Sequence, residues 1–240
     1  MEEIEVVLLN VEDMHTYIGP FHILQGVSFT AKKGKLTVIL GRNGAGKTTL
    51  LRSIMNMIPT KSGKVIFKGE EITKLPTYKI ARMGIAYVPS QRRIFGKLTV
   101  EENLQLAFKG PKDSYETRLQ FIFNVFPDLK NMLKDKARNL SGGQQKMLLI
   151  ARAMINENEL LLIDEPTEGL SPILVKKFSE TLIKLKEQVT IILVEQSFKL
   201  AREVGDECYI LDMGRIVHYG NMEDVAEDKE LLKKHLGVSI

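Results

Sequence analysis

The chain has 240 residues, with 34 Lys and Arg against 30 Asp and Glu, 18 Gly, 8 Pro and one cysteine. Such composition is ordinary for a globular protein and excludes collagen-like and low-complexity chains. Cys208 alone excludes an internal disulfide and points to a reducing compartment, and a net charge of +4 is too small to argue for nucleic acid, so no nucleic-acid partner is expected. Apolar runs such as Leu160–Ile163 and Ile191–Val194 fall far short of the roughly 20 residues of a membrane span. The acidic start, Met1–Glu5, lacks the apolar core of a signal peptide.

Strand-like runs rich in Val, Ile, Leu, Phe and Tyr occur at Glu5–Leu9, Gly26–Ala31, Leu36–Leu40, Gly63–Phe67, Gly84–Val88, Leu160–Asp164, Thr190–Val194, Glu207–Leu211 and Gly214–His218. Several are continuously apolar, as strands covered on both faces are. Helical periodicity is predicted over Thr48–Asn56, Val100–Phe108, Tyr115–Phe126, Ser141–Ile155, Ile173–Lys186 and Phe198–Val204. Strand, Gly-rich turn, helix and strand in that order describe an α/β core with a mainly parallel sheet. One stretch departs from this pattern: residues 93–156 read as a mostly helical insertion, leaving a core of residues 1–92 and 157–240 in a single 1–240 domain.

Three motifs carry chemistry. Gly41-Arg42-Asn43-Gly44-Ala45-Gly46-Lys47-Thr48-Thr49 fits G-x-x-x-x-G-K-S/T between a strand and a helix. Its backbone N–H groups would cradle phosphates, Lys47 would reach the β- and γ-phosphates, and the Thr48 hydroxyl would ligate Mg²⁺. Leu160–Ile163 then delivers Asp164 and Glu165 to the end of a strand, where α/β proteins bind ligands. Asp164 is the candidate to hold Mg²⁺. Glu165, on the opposite face of the strand if the pleat continues, is the candidate to polarise an attacking water. Finally, Leu140-Ser141-Gly142-Gly143-Gln144 opens a helix: Ser141 suits the N-cap and the glycines permit close approach, making a second anion-receptive helix start. Alone, Ser-Gly-Gly is an ordinary cap, and an acidic pair after a strand is an ordinary turn; each gains weight from the others.

Together these motifs resemble the ATP-binding subunits of ABC transporters over essentially the whole chain. Gly41–Thr49 corresponds to Walker A, Leu160–Glu165 to Walker B, and Leu140–Gln144 to the LSGGQ signature. The resemblance implies a P-loop NTPase fold of the RecA-like kind, with an antiparallel β subdomain and an inserted helical subdomain. It implies ATP and Mg²⁺ as ligands and hydrolysis as the activity. Ser141, Gly142, Gly143 and Gln144 would then meet the ATP of a partner subunit. Tyr17 matches the aromatic residue that stacks on adenine. Gln91 matches the glutamine that senses Mg²⁺ and the γ-phosphate, although it stands one position late in Val88-Pro89-Ser90-Gln91, so Ser90 competes for the role.

Two departures stand out. Gln196, in Val194-Glu195-Gln196, occupies the place of the usual switch histidine, and an amide donates a hydrogen bond but does not titrate near neutrality. The loop Gly169-Leu170-Ser171-Pro172-Ile173 lacks the family's usual aspartate. These loops are similar to those of the LivF-type subunit of branched-chain amino-acid importers. Amide or urea importers and lipopolysaccharide exporters are the alternatives, and soluble DNA-repair ATPases a remote one. The implied partners are a second ATPase subunit, identical or homologous, integral membrane permeases and, indirectly, an extracytoplasmic solute-binding protein. The place is the cytoplasmic face of the membrane. Ile94, Phe95 and Leu98 are expected near the groove that receives the permease. His15, His22, His218 and His235 show no metal-ligand spacing.

Overall fold

The computed structural model describes residues 5–91 and 94–237. The chain opens with a long hairpin, β1 (Val7–Ile18) and β2 (Phe21–Lys32), followed by β3 (Leu36–Leu40) and α1 (Lys47–Ile54). Next come β4 (Thr60–Phe67), β5 (Glu70–Glu71), α2 (Thr77–Arg82) and β6 (Ile85–Val88). Between β6 and β7 (Leu160–Asp164) lie α3 (Val100–Ala107), α4 (Tyr115–Val125), α5 (Pro127–Asn131) and α6 (Gly142–Met154). The chain continues with α7 (Pro172–Lys186), β8 (Thr190–Glu195), α8 (Phe198–Val204), β9 (Glu207–Asp212), β10 (Arg215–Asn221), α9 (Met222–Glu227) and α10 (Lys229–Leu236).

Two sheets result. One is antiparallel, in the order β2-β1-β4-β5. The other, in the order β10-β9-β3-β8-β7-β6, is parallel except at its β10 edge. Pleating explains why β3, β7 and β8 are buried at every position. Leu36, Val38, Leu161, Ile163, Ile191 and Leu193 face a core shared with α3, α4, α6, α7 and α8. Ile39, Leu160, Leu162, Ile192 and Val194 face the other core, against α1 and the antiparallel sheet.

The continuous apolar runs thus formed the expected strands with little change. The amphipathic hairpin did not: β1 extends to Ile18 and β2 starts at Phe21, well beyond the runs Glu5–Leu9 and Gly26–Ala31. Irregular register between Val11 and Met14 breaks the alternation that would mark a strand, and Glu12 and Asp13 at the break are exposed. Helices α2, α5, α9 and α10 are short and polar and escaped the periodicity reading.

Local chemistry secures the helices between β6 and β7. Thr99 and Glu102 close a reciprocal capping box on α3. The Arg118 guanidinium on α4 donates to the carbonyls of Met154 (2.6 Å), Ile155 (3.0 Å) and Asn156 (2.9 Å), so it caps the C-terminal end of α6. Asn103, fully buried on α3, donates to the carbonyls of Phe95 and Thr99 and accepts from the Phe95 N–H at 3.1 Å.

Asn103→Ala would strip the Phe95 N–H of its partner and leave the Phe95 carbonyl with the Leu98 N–H alone. A destabilisation of about 1–3 kcal/mol is expected, read as a lower midpoint in urea unfolding.

Candidate active site

Parallel pairing aligns three loops. Leu40 pairs with Glu195, and Asp164 with Val194, so β3, β8 and β7 end at one level of the sheet. The first loop is Gly41–Gly46. A Cβ on Gly41 would stand 2.4 Å from the Leu211 carbonyl oxygen of β9, so only glycine fits beneath the turn. Gly46 caps α1 at φ 109°, a left-handed conformation that disfavours a side chain. Arg42, Asn43 and Gly44 are exposed, Ala45 is buried, and Thr49 is half-buried. The first turn of α1 has no acidic residue and no side-chain cap, so its N–H groups suit an anion.

Lys47 is 4% exposed and donates to the Gly41 carbonyl at 2.7 Å and the Arg42 carbonyl at 3.1 Å. Its Nζ also lies 2.8 Å from Glu165 Oε1. The pleat does not continue past β7. Glu165 has φ 41°, a left-handed backbone, and this turn sends its carboxylate toward Lys47. Its direction is therefore set by a backbone twist and not by strand alternation. Glu165, Gln196, Asn43 and Thr167 line a cleft of about 320 Å³. Gln196 is exposed at the end of β8.

Asp164 is 1% exposed and accepts from Thr48 Oγ1 at 2.9 Å and the Tyr87 hydroxyl at 3.0 Å. Burial pushes its carboxyl up from the ordinary range, against the two hydrogen bonds that favour the charged form. Burial and then the Asp164 charge push the Tyr87 phenol up to about 12, so Tyr87 stays a donor. The adjacent oxygens of Thr48 and Asp164 are the hard donors that Mg²⁺ takes. Gln91 is exposed on the loop after β6 and makes no hydrogen bond to either residue among the described ones. Tyr87, which no motif marked, is the side chain from this part of the chain that touches Asp164.

A second residue was missed by motif reading. Glu195, 3% exposed, accepts from Thr167 N–H (3.2 Å) and hydroxyl (2.7 Å), and from the N–H groups of Gln196 (3.1 Å) and Ser197 (3.2 Å). It ties the loop after β7 to the loop after β8, and so fixes Glu165 and Gln196 relative to each other.

The signature residues lie apart from this edge. Ser141 Oγ accepts from Gln144 N–H at 3.3 Å while Gln144 Oε1 accepts from Ser141 N–H at 2.8 Å, closing a capping box on α6. A Cβ on Gly143 would stand 3.0 Å from Leu174, so glycine lets α6 seat against α7. Gly142 is half-buried. Among the described residues no hydrogen bond joins Ser141–Gln144 to the P-loop.

Tyr17 stands 43% exposed near the hairpin tip, paired across the strands with His22. His15 and His22, which looked scattered in sequence, hydrogen-bond at 3.0 Å. No group of three or more His, Cys, Asp or Glu among the described residues is arranged to hold a metal.

A separate groove of about 840 Å³ lies between the sheet and α3, α4 and α6, lined by Met57, Tyr87, Phe108, Arg118 and Arg152. Arg152 at its wall lies over the Phe95 ring, 4.8 Å from the ring centre, though Phe95 itself does not line the groove. Ile94 and Leu98 are half-buried and do not line it.

Residues 24–168 match the ABC transporter family. The chain belongs to that family. Over 232 residues it is 38% identical to the high-affinity branched-chain amino acid transport ATP-binding protein BraG of Pseudomonas aeruginosa, covering 96% of this chain and 100% of that one. It is equally 38% identical, over 220 residues, to the probable branched-chain amino acid transport ATP-binding protein LivF of Archaeoglobus fulgidus, covering 90% and 93%. The lipopolysaccharide export ATP-binding protein LptB of Escherichia coli is less similar, 27% over 220 residues, covering 90% and 91%. Among solved structures, the ATP-binding cassette MJ1267 of an ABC transporter superposes with a TM-score of 0.86 at 26% identity, covering 98% of this chain and 100% of that one. The P-loop NTPase fold with its antiparallel sheet is thereby established, and the chain is an ATP-hydrolysing member of the ABC family. Among the described residues no helix is long and apolar enough to cross a membrane.

Glu195 supplies a test of the tie. Glu195→Gln keeps the shape but turns one carboxylate oxygen into an amide donor, which must then face N–H or hydroxyl donors. ATP turnover is expected to fall by about tenfold or more while nucleotide affinity stays within about twofold, as for loss of a transition-state arrangement. Steady-state ATPase and fluorescent-nucleotide titration measure the two quantities.

Proposed function

We propose that the chain is the ATPase subunit of an importer of branched-chain amino acids. The observation that carries this reading is the 38% identity, over nearly the full length of both chains, to two ATP-binding subunits of branched-chain amino acid transport. The loops Gly169–Ile173 and Val194–Gln196, where this chain departs from the common family pattern, agree with it.

In the proposed mechanism the γ-phosphate of ATP settles against the N–H groups of Gly41–Thr49, where the start of α1 offers unused donors. Its oxygens compete for Lys47, whose charge is otherwise met by Glu165 at 2.8 Å. Phosphate binding therefore frees the Glu165 carboxylate to accept a proton from the attacking water. Gln196, across the same cleft, donates a hydrogen bond to a γ-phosphate oxygen. Thr48 and Asp164 would hold Mg²⁺, which neutralises charge on the phosphates as the bond to the leaving ADP breaks. Gln91 retains the role of γ-phosphate and Mg²⁺ sensor only if its loop swings in from the exposed position. Tyr17 stacks on adenine.

The signature residues Ser141–Gln144 complete the ATP site of a second cassette, identical or homologous, by isologous pairing. The groove at Met57, Phe108 and Arg152 receives a segment of the permease, holding the subunit peripherally at the cytoplasmic face. An extracytoplasmic binding protein acts on it only through that permease.

Reconstituting the chain with its permease, partner cassette and binding protein in liposomes tests the assignment: leucine, isoleucine or valine should stimulate ATP hydrolysis, and stimulation by an unrelated solute alone would refute it. Two substitutions test the chemistry. Glu165→Gln should reduce turnover by roughly 100-fold or more with ATP binding retained, whereas Gln196→His should keep substantial activity. Robust hydrolysis by Glu165→Gln would remove Glu165 as the base.

A further inference from the structure

The ring that would meet the adenine base is backed by a second ring. Tyr17 and His22 are paired across the hairpin, with centroids 4.2 Å apart and planes 5° from parallel. His22 is itself restrained: its Nε2 lies 3.0 Å from His15 Nδ1, and the two imidazoles also stack, at 5.1 Å and 27°. His15 Nε2 in turn lies 3.2 Å from Asp13 Oδ1. The donors follow from the chemistry. A carboxylate only accepts, so Asp13 selects the Nε2–H form of His15. His15 Nδ1 is then left to share a hydrogen bond with His22 Nε2. The chain Asp13, His15, His22 thus restrains the plane of the His22 ring.

Two features show that this is a built arrangement. Asp13 reaches His15 from a left-handed backbone, φ 45°, at the irregularity in β1. Opposite it, a Cβ on Gly26 would stand 3.0 Å from Asp13 Oδ1 and 3.5 Å from His15 Nε2, so a side chain at position 26 would crowd the pair. The support also reaches toward the phosphate site. Leu24, two residues after His22, lies against the P-loop, where a Cβ on Gly46 would stand 3.0 Å from its Cδ2.

We infer that His22, held by His15 and Asp13, is a positioning residue for the nucleotide base: its ring fixes Tyr17 from one face and leaves the other face to stack on adenine. An unsupported tyrosine at a hairpin tip would lose rotamer freedom on binding the base; the stack removes that freedom beforehand. This inference rests on the reading of Tyr17 as the adenine platform.

The test compares affinity for ATP with affinity for inorganic tripolyphosphate, which carries the phosphates without the base, using the full-length chain. His22→Ala should weaken ATP about fivefold, the worth of an aromatic pair, and leave tripolyphosphate unchanged. His22→Phe, which keeps a ring under Tyr17, should bind ATP within about twofold of the parent. Tyr17→Ala is measured alongside. If it leaves ATP affinity unchanged, the platform reading itself fails. If Tyr17→Ala weakens ATP and His22→Ala does not, or if His22→Phe loses as much as His22→Ala, the platform stands and the role of His22 is overturned. Equal loss of ATP and tripolyphosphate in His22→Ala would mark a general disturbance of the P-loop and also overturn it.

Discussion

A sheet buried on both faces must send its function to one edge, and the rest of this molecule follows from that. β3, β7 and β8 have no exposed side chain available for chemistry. Their alternate residues are consumed by two separate cores, one beneath the helices inserted between β6 and β7 and one beneath α1 and the antiparallel sheet. Because the strands are parallel, their carboxyl ends fall together, and three loops emerge side by side. Reactive groups far apart in sequence meet there without any of them entering the apolar interior unpartnered.

Electrostatics at that edge is arranged in pairs. Lys47 meets Glu165, and Asp164 meets the hydroxyls of Thr48 and Tyr87. Glu195 meets four donors from two loops. Each buried charge has partners, as it must in a poorly solvated setting. The pairs differ in what they do. Glu195 is committed on all sides and serves geometry. Lys47 and Glu165 hold one another at a cleft wall and are both groups that phosphate and water would engage. A carboxylate in each role, one ending β8 and one just past the end of the adjacent β7, is how one edge provides both rigidity and reactivity.

Tyr87 links two regions of the protein. It lines the groove between the sheet and the helices and donates to the carboxylate at the strand end. A partner seated in that groove would press on a side chain one hydrogen bond from Asp164. The hairpin plays a comparable part on the other side, where β2 carries His22 and, two residues on, Leu24 lies against the P-loop. The P-loop is thus bordered on one side by the hairpin and on the other by the strand end that Tyr87 reaches.

Much of this was legible in the sequence because it is local. The P-loop needs glycines, a lysine and a threonine at close spacing, and contiguous residues can only form that turn between strand and helix. The strand ending in Asp164 and Glu165, and the Ser141–Gln144 capping box, are local in the same sense. What sequence alone determined was therefore the family, the glycine-rich loop, the capped start of α6 and the buried strands. Tertiary structure decided the rest. Glu195 reaches Thr167, Tyr87 reaches Asp164, and His22 backs Tyr17 only because strand order and register bring them together. Glu165 faces Lys47 through a left-handed backbone that continuing the pleat would not foretell. Side-chain hydrogen bonds act over about 3 Å, so they depend on a placement that only the assembled sheets provide.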